Sequence, residues 1–189
     1  IFIFRTYYYY NELKIRIQIY ITAMILSIPI SNFNESHLYF SDVIKNIVIS
    51  DSTFIRLYYS TKHLTTNGVF ISFPLNVSSF EKAYNKIKCI FKTKLNQNVI
   101  TALINIEKDI IKKINNENIQ PVFSIKEQLD QEFIKLYNFT NYNNNSVITL
   151  VCKISGIWNN NTNYGLTCKF YPVTKYDHPV SDSSLSDFK

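Results

Sequence analysis

Cations and aromatic residues recur at alternate positions on four short, strand-like stretches of the chain. They are Arg56 with Tyr58, Lys135 with Tyr137, Lys169 with Tyr171, and Lys153 without a ring. Lysine and arginine neutralise phosphates, and exposed aromatic rings stack on unpaired bases. Side chains of these two types on one face of a sheet would therefore bind a single-stranded polyanion that carries flat rings.

Two further residues extend this candidate surface. Lys62 follows the stretch that contains Arg56, and Trp158, the only tryptophan, lies at the end of another stretch. A large ring at a strand end either stacks on a ligand or plugs the fold. Taken singly, lysines and tyrosines at half-exposed sheet positions are ordinary, so only their recurrence indicates binding. The predicted nucleic-acid-binding residues are Arg56, Tyr58, Lys62, Lys135, Tyr137, Lys153, Trp158, Lys169 and Tyr171.

The stretch from Val147 to Val173 positions several of these residues. Apolar side chains alternate with polar ones in both of its halves, which predicts two strands with one buried face each. The apolar positions are Ile148, Leu150, Cys152 and Ile154, followed by Leu166, Cys168 and Phe170. An asparagine-rich connection and Gly165 predict the intervening loop. We therefore expect a hairpin with an aliphatic inner face and a basic outer face.

Other strands are predicted from shorter alternating or apolar runs. These runs are Ile25–Ile30, Asp42–Ser50, Phe54–Ser60, Val69–Leu75 and Phe133–Phe139. The segment Thr66-Asn67-Gly68 predicts a hairpin turn between two of them.

Helical spacing interrupts the strands in the middle of the chain. Ser78 and Glu81 match a capping box, and apolar residues from Phe80 to Leu95 follow at helical spacing. After a break at Asn96–Asn98 a second helix is predicted to end at Ile114, with Glu107 on its solvated face. A single helical turn, capped by Ser124 and Glu127, should end at Leu129. The basic residues of the first helix fit a solvated face better than a phosphate site; they are Lys82, Lys86, Lys88, Lys92 and Lys94.

Composition limits the class of protein. The chain has 189 residues, of which 46% are hydrophobic and 18% charged, so it should fold as one domain with a substantial core. Its formal net charge is +6 and its pI about 9.1, which favours polyanionic partners only weakly. The abundance of Ile, Asn, Lys, Tyr and Phe is typical of AT-rich coding sequence, which also inflates the basic count.

Motifs for catalysis and metal binding are missing from the sequence. Only three glycines occur, which leaves no room for a glycine-rich phosphate loop, and no nucleophile elbow or HExxH motif is present. Asp42 and Asp51 are interpreted as turn or surface residues. The three cysteines form no CxxC pair, and two of them, Cys152 and Cys168, should pack as small buried hydrophobes. We therefore expect no enzyme activity, no metal, no cofactor and a reducing compartment.

The chain divides into three parts. Met24 is the single methionine, and residues 1–23 are interpreted as upstream translated sequence or a disordered lead. Residues 24–173 should form one domain with a helical insertion at about 78–115. Residues 174–189 are a polar, mildly acidic tail.

The order of elements resembles that of the single-stranded-DNA-binding proteins of T7-like phages and of large eukaryotic DNA viruses. The resemblance rests on VITLVCKISGIW, NNNTNYG, LTCKFYPV and SDSSLSDFK, and on a helical insertion between early and late strands. It implies a mainly β fold with inserted helices, namely a β-barrel that is an OB-fold-like Greek key. It also implies non-sequence-specific binding of single-stranded DNA during viral DNA replication. The tail departs from the family, because it contains only three aspartates and ends in Lys189.

The partners expected from this resemblance are single-stranded DNA or RNA and replication proteins that contact the tail. A homodimer is compatible with it, and no membrane is expected. The expected location is intracellular, either the host nucleus or a cytoplasmic viral replication site. Two alternatives stay open: a β-barrel interaction or structural module of a DNA virus, and, more remotely, a secreted glycoprotein cleaved near Pro29.

Overall fold

The computed structural model describes residues 26–83, 86–114, 119–137 and 143–173, with the backbone alone at Ala83 and Tyr137. The predictions for residues 1–23 and for the tail 174–189 lie outside these ranges. Within them the strands are β1 (Ile28–Pro29), β2 (Leu38–Lys45), β3 (Thr53–Ser60), β4 (Thr65–Asn67), β5 (Val69–Ala83), β6 (Lys86–Phe91), β7 (Gln120–Val122), β8 (Phe133–Tyr137), β9 (Ser146–Asn159) and β10 (Asn163–Pro172). The helices are α1 (Thr93–Ile114) and α2 (Ser124–Asp130), with 3-10 turns at Ile30–Asn32 and Glu35–His37.

Five of the strands close into a barrel. β5 pairs with β6, β6 with β8, β8 with β10 and β10 with β9, and β9 returns to β5. The β8–β10 pair is parallel and the other four pairs are antiparallel. Numbered along the chain, the barrel strands follow the spatial order first, second, third, fifth, fourth, which is a Greek key of the OB type. The predicted fold class, mainly β with a barrel and inserted helices, is confirmed.

The barrel closes because β5 is long enough to pair with two neighbours. Residues 69–77 pair with β9, and residues 77–83 pair with β6 after a register shift between Val77 and Ser79. Such an irregularity bends a strand. Alternate residues of the first half are buried in the interior, where Phe73 meets Phe170 of β10 edge to face at 6.3 Å between ring centroids. The intervening residues therefore lie on the outside of the barrel.

The helix predicted to begin at Ser78 is wrong. This segment continues β5 as far as Ala83, and Lys86–Phe91 forms β6, so the helical insertion begins only at Thr93. Apolar residues at 80, 87 and 91 match helical spacing, but Lys86–Phe91 also alternates strictly between half-buried and buried positions. Pairing with β8 on the other edge favours the strand, because each backbone group then finds a partner in the sheet.

The break predicted at Asn96–Asn98 is also wrong, because Asn96 is a buried residue inside α1. Its side-chain Oδ1 accepts a hydrogen bond from the backbone N–H of Asn76 at 2.8 Å, and its Nδ2 donates to the Asn76 carbonyl at 3.0 Å. The side-chain amide of Asn96 thus makes two hydrogen bonds with the Asn76 backbone, as a neighbouring strand would, and so links α1 to β5.

Two predicted boundaries differ near the start of the domain. The turn after β3 lies at residues 61–64, where the Thr61 N–H donates to the Leu64 carbonyl at 2.8 Å, and not at Thr66–Gly68. Gly68 instead connects β4 to β5 with a φ of 89°, a conformation that favours glycine. The strand predicted at Asp42–Ser50 begins earlier, at Leu38, and ends at Lys45.

The prediction that Glu107 lies on a solvated face is wrong. Its side chain is fully buried, and its two carboxylate oxygens each accept a backbone N–H at 2.8 Å, from Ile125 and Lys126. Burial raises the pKa of Glu107, and these two hydrogen bonds oppose the rise. Glu107 of α1 therefore caps the start of α2, whereas Ser124 makes no side-chain cap there.

β3 and β2 extend the sheet beyond the barrel. β3 pairs with residues 156–159 of β9, immediately after the part of β9 that pairs with β5, and β2 pairs with the outer edge of β3. No helix within the described ranges is long and apolar enough to cross a membrane.

Candidate nucleic-acid interface

Four lysines lie at neighbouring positions on the outside of the barrel, one on each of four adjacent strands. Lys153 of β9 is opposite Lys169 of β10, and Lys88 of β6 is opposite Lys135 of β8. The parallel register of β10 with β8 joins the two pairs, because Phe170 is opposite Leu136 and each of these directly follows a lysine. We call Lys153, Lys169, Lys135 and Lys88 the lysine row.

Aromatic rings lie among these cations. The Nζ of Lys153 is 5.1 Å from the ring centroid of Phe70, its partner on β5. The ring of Phe133 is shared by two lysines, with Lys88 Nζ at 5.0 Å and Lys135 Nζ at 5.6 Å. The combination of cation and ring that the sequence predicted is therefore present, although the rings in contact are phenylalanines.

The four strands that carry the lysine row have no acidic side chains. The sequences of β6, β8, β9 and β10 contain neither Asp nor Glu. The ion pairs within the described ranges join Lys113 to Glu35 and Lys126 to Asp130, and so do not involve Lys88, Lys135 or Lys153. Glu81 of β5 is opposite Lys88 but forms no ion pair with it. An anion approaching Lys135 and Lys153 meets positive charge, whereas Glu81 on the neighbouring strand partly offsets the charge of Lys88.

The environment of Lys153 reflects this excess of positive charge. Its side chain is half-buried, and burial is the main cause that lowers its pKa. The positive charge of Lys169 on the neighbouring strand lowers it further. A phosphate bound between the two lysines would relieve this repulsion.

Tyr171 and Tyr137 continue the surface one step along the strands. Tyr171 lies two residues beyond Lys169 on the same face of β10 and is half-buried. The backbone of Tyr137 is at the corresponding position of β8, opposite Lys86 of β6. Lys135, Tyr137, Lys153, Lys169 and Tyr171 therefore come from neighbouring positions of three adjacent strands.

Trp158 lies further along β9, beyond the lysine row, and Arg56 lies beside it on the adjacent strand β3. Arg56 is opposite Gly156, and Trp158 is opposite Phe54. With the loop between β2 and β3 they line a groove of about 350 Å³. Tyr58 is half-buried on β3, opposite Tyr39 of β2. Lys62 is exposed in the turn at the other end of β3 from Phe54, so it joins neither the groove nor the lysine row.

Sequence reasoning missed three members of this surface, namely Lys88, Phe133 and Phe70. Lys88 was assigned to a helix, Phe133 was placed on the same face as Lys135 but not counted as a binding residue, and Phe70 was not assigned to a face. The signal for Lys88 was the strict alternation in KIKCIF, which places Lys86 and Lys88 on one face and Ile87 and Cys89 on the other.

All three cysteines are unpaired. Cys152 is buried as predicted, whereas the predicted burial of Cys168 is wrong. Cys89 is also buried, and burial raises its pKa to about 12. Cys168 is only half-buried, with its Sγ 4.0 Å from the Ser124 hydroxyl. Because the Cys152 thiol donates a hydrogen bond to Cys168, the pKa of Cys168 is lowered and that of Cys152 is raised.

Comparison of the chain with protein-family models, curated proteins and solved structures gave no match. Within the described ranges, no group of three His, Cys, Asp or Glu side chains is arranged to hold a metal ion. The function must therefore be argued from the geometry of the lysine row and the groove.

Proposed function

We propose that this protein binds single-stranded DNA without sequence preference. The observation that supports the proposal most directly is the lysine row, in which four cations span four adjacent strands that carry no carboxylate. A row of this kind follows a phosphate backbone, and phosphate neutralisation supplies most non-specific affinity.

The rings beside the row favour a single strand over a duplex. Phe70 and Phe133 each lie within about 6 Å of a lysine of the row, so a base could stack where its phosphate is neutralised. Stacking requires an unpaired base and is indifferent to base identity. Single-stranded RNA shares these features and is a second ligand of the same surface.

Salt titration tests the proposal. The full chain should bind oligo-dT, and log Kd should change linearly with log salt at about 0.7 units per phosphate contacted. A duplex of equal length should bind more weakly, because its bases are already stacked. The proposal would be rejected if the affinity did not change with salt concentration, or if neither oligonucleotide bound.

The resemblance noted from the sequence is the support for a wider role in viral DNA replication. On this proposal the protein acts inside the infected cell, in the nucleus or at a cytoplasmic replication site, and the tail 174–189 contacts replication proteins. Removing the tail should then abolish co-purification with those proteins while oligo-dT binding persists.

One observation favours a second candidate function, a β-barrel module that binds another protein. Ile47 and Val48, in the loop between β2 and β3, are 96% and 85% exposed. Exposed apolar patches frequently mark protein contacts. Such a module would bind its partner without the steep salt dependence of phosphate contacts.

A further inference from the structure

The groove beyond the lysine row has a polar and aromatic floor and an apolar wall. Phe54 and Arg56 of β3, Trp158 of β9 and Thr167 of β10 form the floor, and residues 44–49 at the end of β2 and in the following loop form the wall. Its volume of about 350 Å³ is that of a small-ligand site, which typically measures about 300–1,000 Å³.

Two of the three glycines of the chain make room for the rings of this floor. A Cβ on Gly156 would lie 2.6 Å from Cζ of Phe54, and a Cβ on Gly165 would lie 3.1 Å from Cζ2 of Trp158. Each ring therefore extends over the backbone of the neighbouring strand. This packing holds both rings against the sheet, beside the open groove.

The wall is an ordered loop. The Asn46 N–H donates to the Ser52 carbonyl at 2.9 Å, and the Asn46 side-chain oxygen accepts the N–H of Val48 at 2.9 Å. The Ser52 hydroxyl donates to the Ile49 carbonyl at 2.8 Å. These bonds hold the loop while Ile47 and Val48 stay almost fully exposed. Their exposure is thus built into the loop and leaves apolar surface beside the rings.

The charges of the groove are all positive. Lys45 and Arg56 are its charged lining residues, and no Asp or Glu lines it. Arg56 forms no ion pair with any residue in the described ranges. Flat rings, an apolar wall and two cations together fit a ligand that is both aromatic and anionic.

We propose that this groove is a base-binding subsite, in which one unpaired nucleobase stacks against Trp158 and Phe54 under the Ile47–Val48 loop. The phosphate next to that base would lie at Arg56 and Lys45. The inference rests on the proposed function, since the strand that supplies the base is the one that follows the lysine row.

The groove and the row lie on one continuous face. Trp158 and Lys153 are five residues apart on β9, or on the order of 16 Å at about 3.3 Å per residue, and the extra residue of β9 opposite Thr167 and Cys168 brings both onto the same face. On the neighbouring strand β10, Thr167 of the groove and Lys169 of the lysine row are likewise close together. A strand bound along the row could therefore place a nearby base in the groove without leaving the surface.

Fluorescence and matched oligonucleotides test the subsite. Trp158 is the only tryptophan, so the emission of the full chain reports on this groove alone. Oligo-dT should quench Trp158, whereas an abasic oligonucleotide of equal length should bind with the same salt slope and without quenching. The abasic strand should also bind at least about fivefold more weakly.

A loop variant separates the subsite from folding defects. Because Ile47 and Val48 are exposed, the double variant Ile47→Ser, Val48→Ser should keep the melting temperature. It should weaken oligo-dT binding at least about fivefold and leave binding of the abasic strand unchanged. Leu64→Ser is the matched control, because Leu64 is 47% exposed in the turn after β3 and does not line the groove.

The outcomes distinguish this inference from the proposed function. If oligo-dT binds with the expected salt slope but Trp158 emission and the double variant are unaffected, the subsite is overturned and the row stands. That result would also be expected if Ile47 and Val48 contact a protein instead. If neither oligonucleotide binds, the proposed function fails and the subsite fails with it.

Discussion

Lys153 lies beside the ring of Phe70 and opposite the like-charged Lys169, where burial and repulsion both lower its pKa. The folded state therefore holds this proton less tightly than the unfolded state. As pH rises from the folded pKa to the unfolded value near 10.5, stability should increase, because the unfolded chain loses the extra proton. The charge at this position therefore does not stabilise the fold, and the proposed contact with a phosphate would account for it.

Replacing this lysine should separate stability from binding. Lys153→Met should raise the free energy of unfolding at neutral pH, measured in urea, and flatten its rise at alkaline pH. The same variant should bind oligo-dT more weakly. Lys135→Met is the control, because Lys135 is exposed and should lose affinity without gaining stability. Loss of stability in Lys153→Met would contradict the interpretation.

The thiols should react with iodoacetamide in a defined order. Cys168 is half-buried and its pKa is lowered by Cys152, so it should be alkylated first in the native protein. Cys89 and Cys152 should react only after unfolding, because both are fully buried and have raised pKa values. Peptide mass spectrometry would give the order. A disulfide between Cys152 and Cys168 in the native protein would contradict the unpaired thiols.

At the scale of elements, Glu107 joins α1 to α2 through two backbone N–H groups. Its raised pKa means that the folded state binds the proton more tightly than the unfolded state. Its contribution to stability is therefore fully present below pH 4.5, the ordinary value, and is lost as pH rises through the folded pKa.

Substitution of Glu107 should alter both this pH dependence and the helix cap. Glu107→Gln should remove the loss of stability with rising pH, measured by urea unfolding at several pH values. Glu107→Ala should cost about 1–3 kcal/mol for each N–H left unpaired. Asp109→Asn, at an exposed site on α1 and not among the charges that act on Glu107, is the control and should leave the pH profile unchanged.

The pairing of β3 with β9 depends on Gly156. A Cβ there would lie 2.3 Å from the Ile55 carbonyl oxygen and 2.6 Å from the Phe54 ring, so the strands would have to separate. Gly156→Ala should therefore destabilise the protein by about 1–3 kcal/mol in urea unfolding. Gly165→Ala should cost less, since its shortest contact is 2.8 Å. If the two variants lose equal stability, the strands must separate at Gly156 with little cost, which would contradict this interpretation.

At the scale of the whole molecule, the barrel brings together lysines that are far apart in the chain. Lys88 and Lys135 are 47 positions apart in sequence yet lie opposite each other on β6 and β8. If they contact phosphates, the double variant Lys88→Ala, Lys135→Ala should reduce the salt slope for oligo-dT by about 1.4 units. Lys108→Ala, Lys112→Ala removes equal charge from exposed positions of α1 and should leave the slope unchanged. Equal reductions of the salt slope in the two double variants would indicate that binding depends on the net charge of the protein and not on the lysine row.

The sequence by itself determined which faces of most strands are aliphatic and which are basic. Alternation along β3, β8, β9 and β10 is a local property, because successive side chains point to opposite sides of a strand. It was enough to predict mainly β structure and to select Lys135, Lys153 and Lys169, whereas the barrel was predicted from the resemblance in the order of elements. The identity of their neighbours is not encoded in this local pattern.

Only the tertiary structure decided how those faces meet. Residues 78–91 fit both periods, and pairing with β8 and the bend of β5 selected the hairpin. Lys88 and Phe133 joined the surface through that pairing, and Glu107 became buried because α2 packs its start against α1. The physical reason is that strand register and the burial of a helix face depend on contacts between residues distant in the chain. Periodicity along one segment carries no information about its partner.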